Sequence, residues 1–351
     1  MTRSSDRPHP HPRLRIAVLG AGSIGCHLGG RLAATADVTL IGRPNAMAEI
    51  EKHGLTLTGP GSERRELRDL RLATDASAAA GADYVLVTVK STDTVAAARE
   101  LAPHLGPATV VVSFQNGLHN PELLRAELAE LTGLAGHRVL AGMVPYNVLR
   151  TGPAAFHQGS GGSLTLDDSP GAVPLAAVAR SAGLRLTLRH DMAAVQAAKL
   201  LMNLNNALNA LSGLPLRDQL GQRAYRSCLA LCQQEALAAF DAEGIGVARL
   251  GAIPPRRMPG LLRLPDGLFR RLARAGLRID AQARSSMWED LRRGRPTEVG
   301  TLQGEVVALA GRHGLPAPAN ARLIELVRRA EAVGPGAARS WSGPELLAEL
   351  T

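Results

Sequence analysis

The first half of the chain alternates short apolar runs with stretches of helical period. Apolar runs fall at 14–19 (LRIAVL), 38–42 (VTLIG), 84–90 (YVLVTVK), 109–117 (TVVVSFQNG) and 138–148 (RVLAGMVPYNV), with minor runs around 55–75. They are short, rich in Val, Ile and Leu, and read as strands buried on both faces. Helical patterns fill the gaps, from about 22 to 35, over STDTVAAARELAPHL and over HNPELLRAELAEL. GGSLTL (161–166) and LRLTLR (184–189) read as closing strands. Beyond Asp191 the pattern is almost wholly helical, over 191–211, 217–243, 285–293, 296–312 and about 319–332.

A β-α-β succession predicts a mainly parallel sheet with helices on both faces. The expected fold is therefore α/β, with an N-terminal Rossmann-type dinucleotide-binding domain over 14–190 and an all-helical C-terminal domain over 191–334. Residues 1–13, which include HPHPHP, are expected to be a disordered leader, and 335–351 a C-terminal tail. A length of 351 residues suits two domains of ordinary size. Only 3% of residues are aromatic, so the cores must be built from Ala, Leu and Val.

The net charge of +9 raises the question of nucleic acid. Basic charge concentrates in 256–295, with eleven Arg against four acids. No aromatic platform of the kind that stacks single-stranded bases accompanies it, so the run reads as a solvated face. Neither nucleic acid nor membrane is an expected partner, because no apolar run reaches the 18 residues of a span. Cys26, Cys228 and Cys232 form no disulfide framework and no zinc-ligand spacing, which fits the reducing cytoplasm and no bound metal.

Basic composition is lopsided in a useful way. Of 40 basic residues only Lys52, Lys90 and Lys199 are lysines. In a chain that favours Arg, a remaining Lys is a candidate for a task that Arg cannot perform.

Candidate chemistry begins at GAGSIG, where Gly20, Gly22 and Gly25 have the G-x-G-x-x-G spacing between a strand and a helix. Gly20 permits the tight turn, Gly22 lets backbone approach a pyrophosphate, and Gly25 lets helix pack on strand. Ser23 and Ile24 open the helix, whose free N–H groups attract phosphate. The next strand ends in Arg43 where an acid would hold the ribose of NAD, so the expected cofactor is NADPH/NADP+. Two further strand ends carry polar groups, Lys90 in VTVKS and Gln115, Asn116 and Gly117 in SFQNG. In the helical half, Gln196, Lys199, Asn203 and Asn206 fall on one face of an otherwise apolar helix. In SSMWEDLRRGRPTEVG, Ser285 or Ser286 can cap a short helix, and Pro296 suits a first helical turn that leaves Glu298 early in the next helix. On its own, Glu298 reads equally as a helix-dipole partner or as a functional carboxylate.

These pieces together resemble the ketopantoate reductase (2-dehydropantoate 2-reductase) family. GAGSIG, VTVKS, SFQNG, AAKLLMN, SSMWEDLRRGRPTEVGTLQG and HGLPAPANARL occur in the family's order over roughly residues 14–332. The resemblance implies NADPH-dependent reduction of the 2-keto group of ketopantoate to D-pantoate, in a cleft between the two domains. It implies that Lys199 is the catalytic lysine and that Glu298 contacts the substrate hydroxyl. It further implies that Asn203 helps position substrate and that Ser286 is near its carboxylate. Asn116 and Lys90 match cleft residues beside the nicotinamide and the cofactor phosphates, and Arg43 matches the cation that reads the 2′-phosphate. The expected partner is a small 2-keto acid, with a homodimer compatible. One position departs from the family pattern. Many members have a second Asn eight residues after the lysine, where this chain has Ala207, which leaves another 2-keto acid open as substrate.

Overall fold

A computed structural model describes residues 13–59, 63–133, 138–273 and 283–351. The expected leader, Arg13 apart, lies outside these residues, as do Arg274, Arg278 and Asp280 of the Arg-rich stretch.

Among the described residues the strands are β1 Arg15–Leu19, β2 Asp37–Ile41, β3 Leu55–Thr58, β4 Arg64–Leu67, β5 Arg71–Ala73, β6 Tyr84–Val87, β7 Val110–Ser113, β8 Arg138–Met143, β9 Val148–Gly152, β10 Ala155–Gln158, β11 Leu164–Asp167 and β12 Leu186–Arg189. The main sheet runs β12-β11-β8-β7-β6-β1-β2-β5. Its six strands from β5 to β8 are parallel, in the Rossmann order. β11 joins β8 antiparallel and carries β12 with it, which closes that edge. A second sheet, β4-β3-β10-β9, combines an early strand pair with a later hairpin.

The strand period divides the domain into two layers. Ile16, Val18, Tyr84, Leu86, Val110 and Val112 face one core, under the helices Ser23–Leu32 and Val173–Ser181. Ala17, Leu19, Val85, Val87 and Val111 face the other, under the helices Thr94–Leu101 and Asn120–Thr132. Apolar residues at consecutive positions are thus explained by burial on both sides of the pleat.

The helical half is built around the helix Arg223–Glu243, whose Tyr225, Cys228, Cys232, Ala236 and Phe240 are buried. The stretch expected as one helix over 191–211 is two, Met192–Asn203 and Asn205–Ser212. Side-chain amides enter at the junction, with Gln233 Nε2 donating to the Leu201 carbonyl and Gln303 Nε2 to that of Leu204. Such insertions interrupt a helical ladder. Residues 335–351, expected as a tail, carry the helix Gly343–Leu350. A reciprocal Ser342–Glu345 capping box starts it, and Leu346 and Leu350 enter the helical core. Among the described residues, Arg226 is a fully buried arginine. Arg226 donates to the carbonyls of Leu220, Leu262 and Leu264, pairs with Asp266 at 2.9 Å and lies 4.0 Å over the Phe269 ring. It ties the Arg-rich segment to the central helix.

Candidate active site

β1 delivers the chain into the glycine turn. Gly20 has φ +103°, and a Cβ there would stand 2.6 Å from the Val89 nitrogen. A Cβ on Gly25 would stand 2.2 Å from the Gly20 carbonyl oxygen, so helix and turn touch through backbone. Around Gly22 nothing comes nearer than 4.0 Å to a Cβ position, leaving its backbone open to approach. The helix begins at Ser23, and its first intrahelical bond from this end is Cys26 N to Gly22 O at 2.9 Å. The N–H groups of Ser23, Ile24 and Gly25 therefore have no acceptor within the helix. No acid stands in that first turn. Arg43 follows β2 at the start of the helix Pro44–His53, exposed and without a side-chain partner among the described residues. Open donors on a glycine cradle with a free guanidinium beside them fit a phosphorylated dinucleotide.

The ends of β6 and β7 meet the helical half. Lys90 Nζ lies 2.9 Å from Asp290 Oδ2 and donates to the Pro296 carbonyl at 2.5 Å. Glu298 Oε1 accepts from both the backbone N–H and the hydroxyl of Ser91, each at 3.2 Å. Asn116 Nδ2 donates to Glu298 Oε2 at 3.1 Å, and Asn203 Nδ2 donates to Asn116 Oδ1 at 3.1 Å. The chain Ser91–Glu298–Asn116–Asn203 thus crosses between the two halves. Behind it, Asn120 donates to Ser91 Oγ and to the Asn116 carbonyl, and accepts from Thr94. This half-buried network ties the two strand-end loops together.

Lys199 lies one turn before Asn203 on the same helix, so the two side chains emerge on one face. Its helix buries Val195, Ala197, Ala198, Leu200 and Leu201. The amine itself has no hydrogen-bond or ion-pair partner among the described residues. Burial alone pushes its pKa down to about 8.

Of the residues singled out from the sequence, Asn116, Asn203 and Glu298 are joined by hydrogen bonds, Lys90 bonds Asp290 and the Pro296 carbonyl beside them, and Lys199 adjoins them by helical position. Ser286 is exposed and makes no side-chain hydrogen bond, while its neighbour Ser285 is buried and caps the helix Ser286–Arg292 by accepting from Trp288 N. Pro296 precedes the next helix instead of opening it. That helix is Val299–Arg312, with Glu298 at its N-cap, and the Pro296 carbonyl serves Lys90. Ser91 and Asp290 sit inside the quoted motifs VTVKS and SSMWEDLRRG without standing out there, whereas Thr94 and Asn120 carry no local signal. Among the described residues, no group of three or more His, Cys, Asp or Glu could hold a metal ion, and no helix is long and apolar enough to cross a membrane.

The chain matches two family models, "Ketopantoate reductase PanE/ApbA" over residues 16–171 and its C-terminal counterpart over 191–331. It is 30% identical to a 2-dehydropantoate 2-reductase of Halobacterium salinarum, over 92% of this chain and all of that one. A 2-dehydropantoate 2-reductase of Mesorhizobium japonicum is 28% identical, over 90% and 97% of the two chains. Among solved structures, a PanE/ApbA family ketopantoate reductase from Ralstonia eutropha superposes with a TM-score of 0.77 at 30% identity, covering 91% and 99%. D-mandelate dehydrogenase, solved with NADH and anilino(oxo)acetate, superposes with a TM-score of 0.75 at 19% identity over 91% and 99%, a likeness of fold alone.

Proposed function

This chain belongs to the ketopantoate reductase family, and from that premise we propose that it reduces the 2-keto group of ketopantoate to D-pantoate with NADPH. The reading rests above all on one observation. An unpaired, readily deprotonated Lys199 stands one turn from Asn203, the end of a hydrogen-bonded chain leading to Glu298 and the strand-end loops. The three described cysteines are free and buried, which supports work in the reducing cytoplasm.

In this reading, the backbone of Gly20 and Gly22 and the N–H groups of Ser23, Ile24 and Gly25 bind the pyrophosphate. Arg43 binds the 2′-phosphate, and Lys90 and Asn116 line the nicotinamide side. When bound, NADPH supplies the hydride that reduces the keto carbon. Lys199 stabilises the charge growing on the keto oxygen and gives it a proton, leaving a neutral amine. An ammonium with a pKa near 8 is charged at neutral pH yet yields its proton readily, whereas a guanidinium does not. Asn203 orients the substrate, and Glu298 retains acceptor capacity for its hydroxyl beyond the bonds it makes to Ser91 and Asn116. Ser286, exposed and unpaired, addresses the carboxylate.

Purified protein mixed with NADPH and ketopantoate should lose the absorbance of the reduced nicotinamide. Failure to turn over any of a panel of 2-keto acids, despite tight NADPH binding, would rule the enzyme reading out. A second reading, reduction of another 2-keto acid, is favoured by Ala207. This residue is fully buried in the helical core and brings no polar group to the cleft. Faster turnover of a different panel member would select it.

A further inference from the structure

Away from the cleft, a cavity of about 290 Å³ opens between the helix Ser23–Leu32, the four-stranded sheet and the segment leading into β12. Neither Lys90, Asn116, Lys199, Asn203 nor Glu298 lines it. Its volume corresponds to about ten waters at ~30 Å³ each, or to a small organic acid.

Polar groups without partners gather at this one place. His27 is 1% exposed, and neither ring nitrogen has a hydrogen-bond partner among the described residues. Tyr146 is 4% exposed, and its hydroxyl also lacks one among the described residues. The two rings meet edge to face with centroids 5.3 Å apart, and both residues line the cavity. Arg31 spends Nη1 on Glu63 at 2.8 Å and Nη2 on the Gly183 carbonyl at 3.2 Å, yet its buried Nε has no partner among the described residues. At the rim, the exposed Arg185 guanidinium has no partner among the described residues. Folds seldom collect orphaned buried donors and acceptors in one cavity, because each costs stability until something polar satisfies it.

The donors decide the chemistry. Arg31 and Arg185 outnumber the one acid at the site, Glu63, which is already shared between Arg31 and Arg65. Burial and the neighbouring Arg31 hold the His27 pKa down at about 4, so at neutral pH its ring offers one N–H and one lone pair. We propose that this cavity is a second binding site, for a small organic anion. Its carboxylate or phosphate oxygens meet Arg31 and Arg185, and a hydroxyl or carbonyl beside the charge meets His27 and Tyr146. The site lies on the flank of the helix whose N-terminus forms the glycine turn, one to two turns from Ser23, and is separate from the keto acid cleft.

The test is calorimetric titration of the full chain, saturated with NADPH, against three anionic probes: inorganic phosphate, glycerol 3-phosphate and malate. Glycerol is the neutral control. At least one anion should bind, and its affinity should fall tenfold or more in both Tyr146→Phe and Arg185→Ala, with NADPH affinity unchanged within twofold. Tyr146→Phe removes only a buried oxygen that has no partner among the described residues, and Arg185→Ala acts from the exposed rim, so neither variant should lower the thermal midpoint. Three results would overturn the proposal: no anion binds; binding survives both substitutions, which means an adventitious ion elsewhere; or glycerol binds as well as glycerol 3-phosphate.

Discussion

Lys90 Nζ lies 2.9 Å from Asp290 Oδ2, a salt bridge between the end of a sheet strand and the helix Ser286–Arg292 of the other half. Asp290 is 5% exposed, and its second oxygen pairs with Arg295 at 3.1 Å. A largely buried carboxylate is costly once a partner is removed, but the Lys90 side chain is about a third exposed, which moderates the loss. A double-mutant cycle of Lys90→Met and Asp290→Asn should give a coupling energy of ~1–2 kcal/mol in chemical denaturation. A coupling below ~0.3 kcal/mol would mean the pair does not hold the halves together.

Lys199 links activity and stability to pH with opposite demands. Its pKa is lowered from 10.5 to about 8 by burial. Below pH 8 the amine is charged in both folded and unfolded chains, and the folded state bears the whole cost of burying it. Between pH 8 and 10.5 only the unfolded chain keeps the proton, so this contribution to stability improves as pH rises. Lys199→Met should therefore stabilise the protein at pH 7, by ~1–3 kcal/mol, a figure that allows for Lys199 being only half-buried as a residue. Reduction by the wild type should fall as pH rises through 8, because the proton donor is lost. A kcat/KM profile flat to pH 9.5, or a Lys199→Met variant less stable than wild type, would contradict these assignments.

Arg43 follows β2, exposed and without a side-chain partner among the described residues. A charge-assisted contact with the 2′-phosphate contributes ~1.5–3 kcal/mol. Arg43→Ala should raise KM for NADPH roughly 10- to 100-fold and leave KM for NADH within about twofold. Equal effects on both nucleotides would assign Arg43 another role.

Gly25→Ala tests the cradle sterically. The new methyl would stand 2.2 Å from the Gly20 carbonyl, which is backbone and cannot swing away. Loss of measurable NADPH binding is expected, with the helical half still folded by far-ultraviolet circular dichroism. Unchanged binding would show that the turn can shift at little cost.

Much of this arrangement was legible in the chain because its signals are local. β1, β6 and β7 are runs of apolar residues, and GAGSIG announces strand, turn and helix within a few positions. The polar positions of the Lys199 helix were legible because they stand out on an apolar background. What escaped depends on distant pairing. The hairpin β9–β10 joins β3 across about a hundred residues, and its strands VLRTG and AFHQ lack clean alternation. The break at Leu204 comes from Gln233 and Gln303 on other helices. Asn120 looks like an ordinary helix start, and only the fold brings it to Ser91. The choice between Ser285 and Ser286 as cap was likewise a matter of which side chain the helical core would bury.

The most direct test is the steady-state rate of NADPH oxidation with ketopantoate at pH 7, measured for wild type and Lys199→Ala together. The account predicts turnover by the wild type and a kcat lower by ~10²-fold or more in the variant, with NADPH affinity unchanged. No turnover by the wild type, or a change in kcat of less than about threefold, would contradict it.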